Sequence, residues 1–363
     1  MDPFTVDVPD AVLDDLRGRL ERTRWPDDPT GAPWSQGTDP AYLKALVRRW
    51  IEFDWRAAER RLNGVTQYRT EIDGATVHFV HRKASRGNGI PLILTHGWPS
   101  SYLEYLPLVP LLDDFDLVIP SLPGYGFSPR PPTPVTYRYV ARRWHLLMRR
   151  LGYDRYGAGG GDWGAGVATW MAIDDPEPLI GIHLTTPEID PPGEPGTDAE
   201  RAYADATREW DERERGYSAI QSTKPQTLGY GLNDSPAGLA AWLVEKWRSW
   251  TQSGGDPLAR FGDLLLETLT LYWVTGTITS SMRDYYDNRW HGDPVRAGHR
   301  VTVPTAFATF SHHLVPEGEP PREWMERLYR VERWTSMPRG GHFAPAEEPG
   351  SLAADIRMFF ASL

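Results

Sequence analysis

The sequence predicts an α/β fold with a mostly parallel sheet, and two observations support this. Short apolar segments such as "ATVHFVHR", "IPLIL" and "FDLVIP" recur from about residue 70, and glycine or proline closes them. Segments with helical spacing, such as "YRYVARRWHLLMRRLG", alternate with these apolar runs. Because parallel strands need a crossover connection, usually a helix, this alternation is typical of a parallel sheet covered by helices. With 363 residues, of which 40% are hydrophobic, the chain can bury a large core.

The chain divides into three predicted parts. Residues 1–69 form a helical extension, because "PDAVLDDLRGRLERTRW" and "DPAYLKALVRRWIEFDW" carry apolar residues at helical spacing. No structural role is predicted for residues 1–5. The strand and helix alternation predicts a core formed by residues 70–187 and 301–363. Residues 188–300 form a long helical insertion in this core, since no strand signal there is as clear as those around it.

Composition limits the classes of partner. The net charge is -10 and no Lys/Arg-rich stripe is present, which disfavours binding to nucleic acid or to an anionic membrane surface. The absence of cysteine excludes disulfides and thiolate metal sites. No apolar run approaches the ~20 residues that span a bilayer, and the N-terminus lacks a secretion signal pattern. We therefore expect a cytoplasmic protein with a small-molecule partner; a homodimer and a monomer both stay open.

One glycine-rich segment carries an isolated carboxylate. In "YGAGGGDWGAGVATW", Asp162 lies between an apolar run and a predicted helix start, with Gly160 and Gly164 two residues away on either side. A nucleophile flanked in this way between a strand and a helix is typical of a sharp turn called the nucleophile elbow. An aspartate in this position is ionised at neutral pH and can attack a saturated carbon that carries a leaving group or a strained ring. Asp162 is therefore the predicted nucleophile, and the product of its attack is an alkyl ester on the enzyme.

Hydrolysis of this ester requires an oxyanion hole and a general base. The segment "THGWPSS" follows the strand "IPLIL", so the backbone N–H of Trp98 is predicted to face that of Trp163 and to form the oxyanion hole with it. The segment "PRGGHFAPAEEP" follows the strand "RVERWTSM" near the end of the chain. It carries His342, which is the predicted base.

Several motifs together resemble those of the microsomal-type epoxide hydrolases. They are "TRWPD", "HGWPSS", "PSLPGYGFS", "GGDWG", "KPQTLGYGLNDSPAGLAAWLVEKW" and "PRGGHFAPAEEP". The resemblance implies an α/β-hydrolase fold with a helical N-terminal extension that wraps the core and a helical lid formed by the insertion. It also implies that two lid tyrosines hold the epoxide oxygen and donate a proton. By position these are Tyr217 and Tyr285, with Tyr286 a less favoured choice than Tyr285.

The acid that orients the catalytic histidine is not where the resemblance implies it should be. His313 occupies that position, and an imidazole cannot supply the fixed negative charge that stabilises an imidazolium. Three explanations stay open. Glu317 or Glu319 supplies the charge from slightly downstream, Glu188 or Asp190 supplies it from the segment after the strand "GIHL", or the acid is absent. Glu188 is slightly favoured.

The resemblance implies that Asp162 opens an epoxide and that water activated by His342 then releases a vicinal diol. It implies no cofactor and no metal. The 16 tryptophans, several of them in "AAWLVEKWRSW", favour a bulky aromatic substrate. One alternative is a haloalkane dehalogenase, in which Trp163 would hold the leaving halide. The other is a binding protein without turnover, which the histidine at position 313 favours.

Overall fold

The computed structural model describes residues 1–310 and 319–363, and the strands within them form one sheet. Its strands are β1 (Asp2–Phe4), β2 (Gln67–Ile72), β3 (Ala75–Arg82), β4 (Ile90–Thr95), β5 (Phe115–Pro120), β6 (Tyr156–Gly160), β7 (Leu179–Leu184), β8 (Val301–Phe310) and β9 (Tyr329–Met337). The order across the sheet is β1-β2-β3-β5-β4-β6-β7-β8-β9. Strands β1, β2, β3 and β5 pair with one another in antiparallel orientation. The pairs from β5 through β4, β6, β7 and β8 to β9 are parallel. The predicted mostly parallel sheet is confirmed.

The helices fall into three groups along the chain. Those of the N-terminal part are α1 (Asp10–Glu21), α2 (Pro40–Ile51) and α3 (Trp55–Leu62). Those between β7 and β8 are α6 (Asp198–Glu214), α7 (Gly216–Gln221), α8 (Pro225–Asp234), α9 (Pro236–Ser249), α10 (Pro257–Phe261), α11 (Asp263–Thr275) and α12 (Ile278–His291). The remainder are α4 (Tyr137–Arg150), α5 (Trp163–Asp174), α13 (Arg322–Met325), α14 (Ala344–Glu347) and α15 (Pro349–Phe360), with a 3-10 helix at Tyr102–Leu108. Among the described residues, none of these helices is both long enough and apolar enough to cross a membrane.

The N-terminal part begins with a strand, which the sequence analysis missed. Residues 1–5 were expected to have no structural role, but Asp2–Phe4 pairs with β2 at the edge of the sheet. The ring of Phe4 packs 4.9 Å from that of His78 and 4.8 Å from that of Phe127, so this short strand is held by an aromatic contact as well as by backbone pairing. Three residues carry no periodicity that a sequence pattern could detect.

The N-terminal helices contact the helices that lie between β7 and β8 in the chain. Helices α1 and α2 pack on α9, and α3 packs on α11. The indole N–H of Trp50 donates a 2.8 Å hydrogen bond to Thr270 Oγ1, and the hydroxyl of Thr38 donates one of 2.7 Å to the carbonyl of Ala241. Buried polar bonds of this kind make the packing specific as well as favourable. The extension therefore supports the helices that cover the site.

The register of the central strands brings three loops to one edge of the sheet. Thr95, the last residue of β4, is the partner of Gly160, the last residue of β6. Because β4, β6 and β9 run in the same direction, the segments that follow them emerge at the same edge. Ligands of open α/β sheets bind at this carboxyl edge.

Candidate active site

Asp162 lies in a sharp turn between β6 and α5. Its backbone has φ 53 and ψ -129, a conformation that costs a residue other than glycine about 1–3 kcal/mol. Two glycines make the turn sterically allowed. A Cβ on Gly97 would lie 2.2 Å from Asp162 Oδ1, and one on Gly164 would lie 1.9 Å from the carbonyl oxygen of Thr95. The glycines therefore let the backbone of two loops close around the carboxylate.

The two oxygens of Asp162 have different surroundings. Oδ1 accepts hydrogen bonds from the backbone N–H groups of Trp98, at 2.9 Å, and of Trp163, at 2.7 Å. Oδ2 lies 3.4 Å from Nε2 of His342. One oxygen is thus held by two backbone donors at the start of a helix, while the other faces an imidazole. The four residues predicted to form the nucleophile, the oxyanion hole and the base are brought together.

A buried carboxyl group holds the loop that carries His342. Glu347 Oε1 accepts hydrogen bonds from the backbone N–H groups of Gly341, at 3.0 Å, and of Phe343, at 3.2 Å, on either side of the histidine. Its Oε2 accepts one of 2.9 Å from the backbone N–H of Gln252. Burial raises the pKa of Glu347 to about 7, and the three N–H donors oppose this rise. The sequence analysis did not identify this residue, because its role depends on contacts that the fold creates.

The two predicted lid tyrosines face the nucleophile turn. The ring of Tyr217 stacks on that of Trp98 at 5.4 Å, and the ring of Tyr285 packs edge-on 4.9 Å from that of Trp163. The two phenol rings lie 5.9 Å apart. Burial raises the pKa of Tyr285 well above its ordinary value, and the charge of Asp162 adds to the rise. Its hydroxyl therefore stays protonated at neutral pH and can donate a hydrogen bond.

Helix α12, which carries Tyr285, is anchored to the core. Arg130 is buried and forms ion pairs with Asp284, at 2.6 Å, and with Asp287. It also donates a 2.6 Å hydrogen bond to the carbonyl of Ser280. These contacts fix α12 on both sides of the tyrosine. Tyr286, the less favoured choice, is exposed and packs on Trp290 at 6.3 Å.

A cavity of about 510 Å³ opens above the nucleophile. Its lining includes Asp162, His342, Tyr217 and Tyr285, together with aromatic and polar residues. These aromatic and polar residues are Tyr137, Trp163, Thr186, Glu188, Trp210, Asp211, Arg215, Ser218, Ser222, Trp250, Asn288 and Arg289, and Ala219 also lines the cavity. Of the tryptophans in "AAWLVEKWRSW", which suggested an aromatic substrate, Trp250 lines this cavity. The wall near the nucleophile is therefore aromatic, and the lining also includes ionised side chains.

The orienting acid is not settled by these contacts. Glu188 lines the cavity and accepts a 3.0 Å hydrogen bond from the hydroxyl of Tyr137, whose ring packs 4.8 Å from that of Trp163. Its predicted role as the acid stays a prediction. His313 and Glu317 lie outside the described residues.

Glu104 is a second buried carboxyl group that the sequence analysis missed. It lies in the 3-10 helix that follows the "HGWPSS" loop, and its side chain is 5% exposed. Burial raises its pKa to about 8, and the charges of Asp162 and Glu347 add to this effect, while a hydrogen bond with Ser100 opposes it. No short motif marks such a residue, because its properties arise from burial near two other carboxylates.

Within the described ranges, no group of three or more histidine, aspartate and glutamate side chains is placed to hold a metal ion. The reactive side chains that line the cavity at the nucleophile turn are Asp162, His342 and the phenols of Tyr217 and Tyr285. An anionic oxygen, backbone donors, an imidazole and two proton donors around one cavity are the parts that nucleophilic displacement followed by ester hydrolysis requires.

Comparisons with known proteins find similarity over nearly the whole chain. The family model of the epoxide hydrolase N terminus matches residues 1–105, and that of the alpha/beta hydrolase fold matches residues 90–212. A relative from Stigmatella aurantiaca, whose name assigns it to the epoxide hydrolases, is 41% identical over 99% of this chain and 85% of its own length. Epoxide hydrolase 1 of Sus scrofa is 35% identical over 99% of this chain and 88% of its own. The structure of Aspergillus niger epoxide hydrolase superposes with a TM-score of 0.87 at 29% identity, covering 99% and 96% of the two chains.

Proposed function

This chain belongs to the epoxide hydrolase family and is a hydrolase that acts on epoxide ether bonds, and from this premise we propose how its residues divide the reaction. In our proposal Asp162 is the nucleophile, His342 is the general base, and Tyr217 and Tyr285 hold the epoxide oxygen. The backbone N–H groups of Trp98 and Trp163 form the oxyanion hole.

In the first half-reaction, Oδ2 of Asp162 attacks one ring carbon from the side opposite the epoxide oxygen. The carbon–oxygen bond of the ring breaks, and a phenol proton from Tyr217 or Tyr285 passes to the alkoxide. Oδ1 is the oxygen already held by the N–H groups of Trp98 and Trp163, so it becomes the carbonyl oxygen of the ester without moving. Phenols suit this step because they keep their proton until the alkoxide forms.

In the second half-reaction, His342 removes a proton from a water molecule, which attacks the ester carbon Cγ of Asp162. The position of Nε2, 3.4 Å from Oδ2, supports this assignment because a water beside the imidazole would be close to Cγ. The two N–H donors stabilise the tetrahedral oxyanion. Collapse releases the diol, and the imidazolium returns a proton to the tyrosinate, either directly or through solvent.

The observation that carries this proposal is the division of the Asp162 carboxylate between two backbone donors and one imidazole. Its test is single turnover of styrene oxide with excess enzyme in H₂¹⁸O. We expect the first diol to contain no ¹⁸O, because its new oxygen comes from Asp162, whereas later turnovers release labelled diol. Asp162→Asn should form no diol in this single-turnover experiment. Asp154→Asn, a change at an exposed aspartate, is the control and should behave like the wild type.

Each alternative reaction has its own result in the same experiment. Label in the first diol would mean that water attacks the epoxide directly, which contradicts the nucleophilic role of Asp162. An adduct of one substrate equivalent that persists in intact-mass spectra of the wild type would indicate binding without turnover. His342→Gln should show this persistent adduct if the base has been assigned correctly. Bromide release from 1-bromobutane faster than styrene oxide turnover would favour a dehalogenase.

We also propose a bulky aromatic substrate, because Trp163, Trp250 and Tyr137 line the cavity beside the nucleophile. The homodimer and the cytoplasmic location stay predictions. Light scattering over a range of protein concentrations tests the first, and fractionation of the source cells tests the second.

A further inference from the structure

One arginine of the cavity has a charge that the described residues do not balance. Arg289 donates a 3.2 Å hydrogen bond to the hydroxyl of Ser222, and its guanidinium lies 5.0 Å from the ring of Trp290. Within residues 1–310 and 319–363, no carboxylate oxygen lies within 4.0 Å of its nitrogens. The other arginine of the lining, Arg215, is paired with Asp211. Among the described residues of the lining, Arg289 is therefore an arginine without a carboxylate partner.

The position of Arg289 relative to the chemistry follows from helix geometry. Tyr285 and Arg289 are four residues apart in α12 and both line the cavity. Residues with this spacing share one face of a helix and are separated by about 6 Å along its axis. Tyr285 is half-buried beside the nucleophile turn, whereas Arg289 is exposed. Arg289 is thus about one helical turn from Tyr285 along α12, at the more exposed position.

The acidic residues of the cavity lining contact groups other than Arg289, since Asp162 accepts hydrogen bonds from the backbone N–H groups of Trp98 and Trp163. Asp211 is neutralised by its ion pair with Arg215. Glu188 accepts a hydrogen bond from Tyr137, whose ring packs on Trp163 at the nucleophile turn. A substrate that reaches from Asp162 to the exposed side of the cavity would meet aromatic walls first and then the donors of Arg289.

We propose that Arg289, together with the hydroxyl of Ser222, binds an anionic group of the substrate. The favoured substrate class is an aromatic epoxide that carries a carboxylate about one helical turn from the epoxide oxygen. This inference rests on the proposed function, since it takes the ring oxygen to lie at Tyr285. The inference adds a charged group by which the site would distinguish one aromatic epoxide from another.

The test compares two substrates of equal size and different charge, 4-(oxiran-2-yl)benzoate and 4-(oxiran-2-yl)benzamide. We expect a higher kcat/KM for the acid than for the amide in the wild type. Arg289→Gln should lower the ratio of kcat/KM for the acid to kcat/KM for the amide about two- to fivefold. A loss of this size corresponds to the removal of one exposed ion pair. Arg289→Lys should retain part of the preference, because it keeps the charge. The preference should also decline between about 0.01 M and about 1 M salt as the charges are screened.

Arg283→Gln is the matched control. Arg283 lies in the same helix and bonds to Gln226 outside the cavity lining, so its removal should leave the ratio as in the wild type. The inference is overturned if both epoxides are turned over and neither Arg289→Gln nor salt changes the ratio. A ratio that falls equally in Arg283→Gln also overturns it, because the effect would then be one of overall charge.

A binding measurement separates failure of this inference from failure of the proposed function. Kd values for the acid and the amide are measured by tryptophan fluorescence on Asp162→Asn, with and without Arg289→Gln. If the wild type makes no diol from either epoxide but the Kd ratio depends on Arg289, the anion site is supported and the proposed reaction is wrong. If diol forms and neither ratio depends on Arg289, the reaction is supported and the anion site is wrong.

Discussion

The buried carboxyl group of Glu104 should make the stability of the protein depend on pH. Its pKa is raised from 4.5 to about 8 in the folded protein, chiefly by burial. Between these two pH values the folded state keeps a proton that the unfolded state loses, so the free energy of unfolding falls as pH rises. The contribution of Glu104 to the free energy of unfolding is fully present below about pH 4.5 and is lost as the pH rises to about 8. At 1.36 kcal/mol per pH unit, the difference from 4.5 to 8 corresponds to at most about 5 kcal/mol.

Glu104→Gln tests this prediction because glutamine has nearly the shape of a protonated glutamic acid and does not ionise. We expect the free energies of unfolding of the variant and the wild type to be similar at pH 5 and to diverge in favour of the variant by up to about 1.4 kcal/mol per pH unit towards pH 8. Urea unfolding at half-unit pH intervals measures the difference, in which the contributions of other groups cancel. Glu177→Gln, at an exposed residue, is the control and should follow the wild type. Parallel curves for Glu104→Gln and the wild type would refute the argument.

Three further outcomes are expected from smaller changes. Tyr217→Phe and Tyr285→Phe should each lower the rate of ester formation by about tenfold or more, and the double variant should lower it by about 10²–10⁴. The rate of ester hydrolysis should stay unchanged. Stopped-flow fluorescence separates the two steps. Gly164→Ala should destabilise the fold by about 3 kcal/mol or prevent folding, because its Cβ would lie 1.9 Å from the carbonyl oxygen of Thr95; thermal unfolding would contradict this if Tm were retained. Asp39→Ala removes the side chain that caps α2 and should lower the free energy of unfolding by about 1 kcal/mol with kcat unchanged.

The parts of the fold that a sequence pattern could predict are those with a strong local signal. The segment "VTVPTAFATF" coincides with β8, and "YRYVARRWHLLMRRLG" contains α4. Strand β1 has no such signal, because three residues form a strand only where the fold offers a partner. Its pairing with β2 and the contacts of Phe4 are long-range features. Local patterns predict elements well where burial and periodicity agree within one segment.

The same distinction applies to the site. Asp162 could be predicted as the nucleophile because the turn around it needs glycines at fixed offsets, and this requirement is local. Glu104 and Glu347 could not be identified, because a glutamate becomes a buried partner of the catalytic loops only through contacts between distant segments. Glu188 was favoured as the acid from its place after β7, and in the folded chain its described hydrogen bond is with Tyr137. Position in a sequence thus indicates which residues reach the site but not which atoms they meet there.

Hydrogen bonds join the loop that carries His342 to the segment that follows α9. The backbone N–H of His342 donates to the carbonyl of Trp250 at 2.8 Å, and that of Gly340 donates to Gln252 Oε1 at 3.0 Å. Glu347 bridges the same two segments. Movement of the end of α9 would therefore displace the imidazole of His342 relative to Asp162. Because buried backbone donors are costly to leave unpaired, we expect the end of α9 to keep its position when substrate enters.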